Sequence, residues 1–180
     1  MASVVSHPAI VLALAPWRGK IPLRPLAVWG AVFAVLPDLD AVGFWLGVPY
    51  GSPLGHRGLT HSFFFSFVLA AAVTAAAFRR SPSRLRVFFL LFLCGASHGV
   101  FDAMTDGGRG VALLAPFDWN RFFLPWRPIR VSPIGIGRFL GPRGLAILAS
   151  ELRWIWIPCA AIGALGLAVR GSERSPRENA

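Results

Sequence analysis

The sequence predicts an all-α membrane protein: a polytopic helical bundle with about four transmembrane helices, a short N-terminal apolar helix and a membrane-surface loop region. Three observations predict it. Hydrophobic residues make up 55% of the 180 residues, with a mean hydropathy of +0.60. Only 14% are charged, against about a quarter in soluble domains. The apolar residues fall in long runs separated by short basic stretches, the pattern by which membrane proteins set their orientation. At this length one domain is expected, over residues 1–170, with a disordered polar tail at 171–180.

The elements follow in order. Val4 to Pro16 is apolar but contains His7 and Pro8 and has no basic stretch before it. It reads as a retained helix or re-entrant segment rather than a cleaved signal peptide, and is too short to span alone. Pro25 to Val48 is long enough to cross a bilayer, with Pro37, Asp38 and Asp40 interrupting its second half. Ser62 to Phe78 is short and almost free of polar groups. Val87 to about Met104 carries His98 and Asp102 near its end, and Leu145 to Val169 holds Glu151 and Arg153 near its start. About 20 apolar residues span the hydrocarbon core, so the second and third runs are short spans. Between the last two runs lie Phe117, Trp119, Phe122, Phe123 and Trp126. Such aromatics settle at headgroup level. Leu124-Pro125-Trp126-Arg127-Pro128 excludes one long helix there.

The net charge is +10, from 17 arginines and Lys20 against eight acids. Arg18, Lys20 and Arg24; Arg79, Arg80, Arg84 and Arg86; and Arg170, Arg174 and Arg177 flank the runs. A four-crossing path puts all three groups on one side, the cytoplasm. Arg109, Arg121, Arg127, Arg130, Arg138 and Arg143 then fall on the other side. Either the topology is inverted or these arginines serve another purpose: binding an anionic substrate or attracting anionic headgroups. No compact basic module exists, so nucleic acid is not an expected partner. Cys94 and Cys159 both lie in apolar runs, which excludes a disulfide framework or a cysteine zinc site.

The chemistry lies in four small groups: His7; Asp38 with Asp40; His56 with His61; and His98, Asp102 and Asp106. They take all four histidines and half the acids. Ionisable groups in or beside apolar runs are expensive and usually functional. His98 and Asp102 are four apart and share a helix face. Asp106 extends that face if the helix continues, but Gly107-Gly108 suggests an end. Asp38 and Asp40 follow Pro37, where helix geometry is disturbed and both carboxylates can turn to one point. His56 and His61 bracket Arg57-Gly58-Leu59-Thr60. The four-crossing path brings the Asp38/Asp40, His56/His61 and His98/Asp102 groups to one membrane face, and His7 joins if its segment begins there. The mixed imidazole and carboxylate set suits one or two divalent metal ions, zinc first, then manganese or iron. Against this stand simpler roles: Asp38 capping a broken helix, Asp106 in a turn, and Glu151 as a structural charge that Arg153 partly neutralises. A position for Glu151 behind a ligand histidine is the alternative.

Several motifs occur together: Ser6-His7-Pro8, Leu36-Pro37-Asp38-Leu39-Asp40, Gly55-His56-Arg57-Gly58-Leu59-Thr60-His61-Ser62 and Ser97-His98-Gly99-Val100-Phe101-Asp102-Ala103-Met104-Thr105-Asp106-Gly107-Gly108. In this order they resemble the YdjM-like family of bacterial inner-membrane proteins described as metal-dependent hydrolases. Ser132-Pro133-Ile134-Gly135 and Ser150-Glu151-Leu152 also look like a subgroup's pattern. The resemblance covers most of the chain. In ligand order the family is distantly similar to zinc-dependent phospholipase C and P1 nuclease. That likeness implies His7, Asp38, His61, His98 and Asp102 as metal ligands, with Asp40 and His56 as ligands or supporting bases.

The reading is a multi-pass inner-membrane hydrolase whose site faces the periplasm. It acts on a phosphoester or another anionic envelope or lipid substrate through metal-activated water. Asp40 or Asp106 serves as general base and Arg57 stabilises developing charge, with Arg57, Thr60, Thr105 and Arg109 contacting substrate. The alternatives are a non-catalytic membrane protein with a structural metal, or a metal or ion transporter.

Overall fold

The computed structural model describes residues 1–133, 139 and 141–174 of the chain. Arg138, Ile134 and Gly135 of the Ser132-Pro133 motif, and positions 175–180 of the expected tail lie outside the described residues. Among the described residues, six α-helices carry the fold: α1 (Ala9–Leu14), α2 (Leu23–Val35), α3 (Phe63–Ala77), α4 (Arg84–Ala103), α5 (Pro142–Glu151) and α6 (Ile157–Arg174). No strand occurs among the described residues. Two isolated bridges, Thr105 with Ile129 and Val111 with Phe122, organise the long α4–α5 connection.

Among the described residues, three helical stretches are long and apolar enough to cross a membrane: Leu23–Leu46, Arg84–Ala103 and Arg143–Ser172. The 15 residues of α3 reach about 22 Å, short of a hydrocarbon core about 30 Å thick. A fourth crossing therefore depends on α3. The last helix continues to Arg174, so the first residues of the expected disordered tail are helical.

Each break in a helix has a local cause. Pro37 has no N–H and its ring crowds the preceding turn, so α2 ends at Val35 and the chain tightens into a 3-10 stretch over Leu36–Leu46. Such stretches seldom exceed four residues. Ser62 caps α3, its Oγ accepting the Phe65 N–H at 3.0 Å. Between α5 and α6 the helix widens to a π turn over Leu152–Trp156. Pro158 cannot donate to the carbonyl one turn back and pushes against it, which the wider turn accommodates.

Helix α4 packs between α2 and α3, and α1 packs on α6. Lipid tails are as apolar as leucine, so helices associate through close contact at small residues. A Cβ on Gly95 would lie 2.9 Å from Ser66 Oγ, and one on Gly30 would lie 3.2 Å from Cys94 Sγ. On α6, Gly163 lets the helix meet the Leu12 carbonyl. Phe33, Leu91, Val87 and Cys94 fill the main core, while Ala9, Ala13, Ile155 and Cys159 fill the α1–α6 seam. Both cysteines are buried and unpaired, as their apolar surroundings predict. Outward faces stay apolar, with Val28, Phe67 and Leu165 exposed. Phe117 and Trp126 project from the α4–α5 connection, consistent with a loop lying along the membrane surface.

Gly95→Ala should overpack the α3–α4 contact and destabilise the fold by about 1–3 kcal/mol. Thermal melting in detergent checks this, and adding Ser66→Ala should recover part of the loss.

Candidate metal centre

The cluster forms where four parts of the chain meet at one end of the bundle. The 3-10 stretch after α2 supplies Asp38 and Asp40. The turn Leu59–His61 before α3 supplies His61, and the last turns of α4 supply His98 and Asp102. The N-terminal turn supplies His7. The convergence expected of the first three groups is realised, and His7 joins them.

Asp38, His61, His98 and Asp102 each place one ligand atom within 4.8 Å of the others, and all four are buried. His98 Nε2 lies 3.5 Å from Asp38 Oδ1, and His61 Nε2 lies 3.8 Å from Asp38 Oδ1 and 3.7 Å from Asp102 Oδ2. His7 stacks on His98 with ring centroids 3.7 Å apart, and its Nε2 lies 3.6 Å from Asp102 Oδ1. Six buried atoms here have no partner: both His7 nitrogens, both Asp38 oxygens, His61 Nε2 and His98 Nε2. Buried polar groups are nearly always satisfied. Lone pairs converging without donors are what a divalent cation satisfies, and imidazole with carboxylate suits zinc, manganese or iron. The residues therefore fit a metal ion.

The ring orientations are set from behind. His98 Nδ1 donates to the Ala34 carbonyl at 2.8 Å, which aims Nε2 inward. In the 3-10 register that carbonyl would be closed by residue 37, and Pro37 has no N–H to give. One proline thus ends α2 and frees the acceptor that holds His98. His61 Nδ1 faces Asp40 Oδ2 at 3.2 Å, the carboxylate–histidine arrangement that orients metal ligands.

Asp40 has other partners too. His56 Nδ1 lies 2.6 Å from Oδ1, while Thr60 Oγ1 and the Arg57 N–H donate to Oδ2 at 2.8 and 3.2 Å. Asp40, His56 and His61 form a second group close enough to hold an ion. An ion there would have to displace these bonds.

Arg57 is fully buried and sits at φ 64°, in the left-handed region, a strain of about 1–3 kcal/mol. Its side chain accounts for the position. Nε pairs with Asp102 Oδ2 at 3.1 Å, Nη1 donates to the Gly107 carbonyl and Nη2 to Thr105 Oγ1, both at 3.0 Å. The guanidinium expected to face substrate is spent on Asp102 and the turn after α4. Thr60 and Thr105 likewise use their hydroxyls inside the fold.

Asp106 does not extend the His98/Asp102 face. Helix α4 ends at Ala103, and the Asp106 carboxylate turns out to accept the Val131 N–H at 2.8 Å. Arg109 is exposed, its guanidinium 5.6 Å from the Tyr50 ring. Arg121 ties the His56 loop down, donating to the carbonyls of His56, Tyr50 and Ser52.

Glu151 corrects the sequence reading. Arg153 is exposed and lies over Trp154 instead of neutralising it. Glu151 is fully buried and accepts from the Ser3 backbone N–H, Ser3 Oγ and Ser6 Oγ, while Trp156 donates to Ser6 Oγ at 2.9 Å. It anchors the turn that presents His7. The sequence reading assigns no role to Ser3 and quotes Ser6 only within its motif; a lone acid within a span, with hydroxyls near His7, is the signal that could have found them.

A model of the YdjM inner membrane protein family matches residues 1–175. The chain belongs to this family. It is 38% identical over 162 residues to Inner membrane protein YbcI of Escherichia coli (strain K12), across 88% of this chain and 92% of that protein. No solved structure matches the chain. Family membership agrees with the apolar helices in placing the chain in the inner membrane.

Asp40→Ala should weaken zinc or manganese binding about 10–100-fold by freeing the His61 ring. Measured metal affinity checks this against Asp118→Asn, in the loop. Binding should also depend on pH. In the metal-free chain, burial disfavours the His61 imidazolium, but the Asp38 and Asp40 carboxylates outweigh it and push its pKa up to about 9. Burial, with His98 stacked alongside, pushes His7 down to about 3. Ligand imidazoles must be deprotonated, so binding near neutral pH expels one proton from His61 and none from His7. Affinity should rise about tenfold per pH unit and level off above about pH 9, as metal titrations across buffers would show.

Proposed function

We propose that this chain is a multi-pass membrane hydrolase that uses a divalent cation held by Asp38, His61, His98 and Asp102, with His7 completing the set. Its substrate is a phosphoester or another anionic molecule of the envelope. The observation that carries this reading is the convergence of six buried, unpartnered ligand atoms beside Asp102 at one end of the bundle. A cation bound there would supply an activated water and polarise a phosphoryl or carbonyl oxygen.

The chain's own residues do the rest. Asp40 and the Ala34 carbonyl hold His61 and His98 in their ligating tautomers. Arg57 Nε pairs with Asp102 Oδ2 and fixes how that carboxylate is turned. Asp38 carries two unpartnered oxygens and is the most exposed member of the set, at 8%. It marks the side from which water and substrate enter. The cluster lies opposite the basic stretches around Arg18, Arg79 and Arg170, so it faces the periplasm by the positive-inside rule.

A second reading has its own observation. His7, His61, His98 and Asp102 are at most 1% exposed, and closed coordination is the mark of a structural metal.

The test is purification in detergent, metal analysis, and hydrolysis of a chromogenic phosphodiester and of phosphatidylglycerol vesicles. The hydrolase reading expects turnover that needs zinc or manganese and is lost with the bound metal in His61→Ala and Asp102→Ala. Stoichiometric metal without turnover, whose removal lowers the melting temperature, would leave the structural reading. No bound metal after reconstitution would sink both.

A further inference from the structure

A large cavity lies at the other end of the bundle from the metal cluster. It is a groove of about 1170 Å³ between the turn after α1, the start of α4 and the end of α6. That exceeds the roughly 300–1,000 Å³ of ordinary small-molecule pockets. Along α4, the 16 residues from Arg86 to Asp102 span about 24 Å, so the groove is separate from the cluster.

Its lining divides by chemistry. Lys20, Arg86 and Arg170 supply positive charge, Trp17, Phe89 and Val169 supply apolar surface, and no lining residue is acidic. The groove is built rather than incidental. Gly19 takes φ 63°, and a Cβ there would collide with Arg86 Nη1, so the turn leaves the guanidinium its place. Gly166 on α6 leaves room for the Trp17 indole, whose Nε1 would lie 2.7 Å from a Cβ. Arg170 is held by a hydrogen bond from Nη1 to the Pro16 carbonyl at 3.3 Å.

Depth matches as well. Helices α2 and α4 begin here and α6 ends here, among the basic residues that mark the cytoplasmic side. The surface of that leaflet is rich in anionic lipid, and basic pockets between transmembrane helices bind such headgroups. We propose that this groove binds an anionic phospholipid. Lys20, Arg86 and Arg170 take the phosphate, and Trp17, Phe89 and Val169 take the upper acyl chains. The site holds the α1 turn against α4 and α6 and is not part of the metal chemistry.

Native mass spectrometry of the full chain, titrated with phosphatidylglycerol or phosphatidylcholine of the same acyl chains, tests this. The wild type should retain phosphatidylglycerol in preference, and Arg86→Gln/Arg170→Gln should lose roughly fivefold in retention per arginine. Lys20→Gln changes an exposed side chain that the fold does not need, and should lose roughly fivefold too. Arg79→Gln/Arg80→Gln removes the same charge outside the groove and should bind as the wild type. Equal retention of the two lipids by the wild type would overturn the proposal. So would unchanged binding in Lys20→Gln, or an equal loss in Arg79→Gln/Arg80→Gln.

Discussion

Two carboxylates, Asp38 and Asp102, are buried at one end of an apolar bundle, and much of the structure answers their charge. An isolated buried carboxylate costs several kcal/mol. Asp102 is met by the Arg57 guanidinium at 3.1 Å and the Ala2 N–H at 2.7 Å. Asp38 has no such donor, and its nearest partners are the Nε2 atoms of His61 and His98. Both rings already spend Nδ1 elsewhere. In the metal-free chain the His61 imidazolium is what faces the charge of Asp38, a place that a bound cation would take over, and that constraint ties three distant parts of the chain together.

The departures from regular structure gather around this point. The 3-10 stretch after Pro37 carries both Asp38 and Asp40, Arg57 holds a left-handed backbone, and the π turn after Glu151 adjoins the anchor of the His7 turn. Backbone irregularity at membrane depth is tolerated only where it is buried in protein or lines a polar site. Gly99 adds to the same logic. A Cβ there would lie 2.5 Å from the His61 carbonyl, so the bare helix surface lets His61 approach His98.

The two ends of the bundle carry different electrostatics. One end holds the buried carboxylates and histidines, capped by loops that Arg57 and Arg121 tie down. At the other, basic side chains border an open groove. Arginine does different work at each end: at the cluster it is structural and internal, and at the groove it faces outward. The arginines between α4 and α5 that broke the simple orientation rule are partly explained by this. Arg121 is a brace for the loop carrying His56, and Arg127 covers the Phe123 ring.

What the sequence by itself determined follows from short-range physics. Apolar run length, Pro37 and the basic flanks set the helices and their breaks, and the four-residue spacing of His98 and Asp102 put them on one face. The scarcity of other ionisable groups in those runs marked Asp38, His61 and His7 as well. Only the tertiary structure decided what each side chain spends its hydrogen bonds on. Arg57, Thr60 and Thr105 look free in the sequence, yet Arg57 and Thr60 donate to partners 20 or more residues away, and the Thr105 hydroxyl donates to the Asp102 carbonyl while accepting from Arg57. Asp106 would have extended the His98/Asp102 face had the helix continued, but α4 ends at Ala103 and the carboxylate turns outward to the Val131 N–H. Glu151 looked paired with Arg153, two residues on. Such neighbours do not share a helix face, so its carboxylate turned instead to hydroxyls and an N–H brought from 145 and 148 residues away.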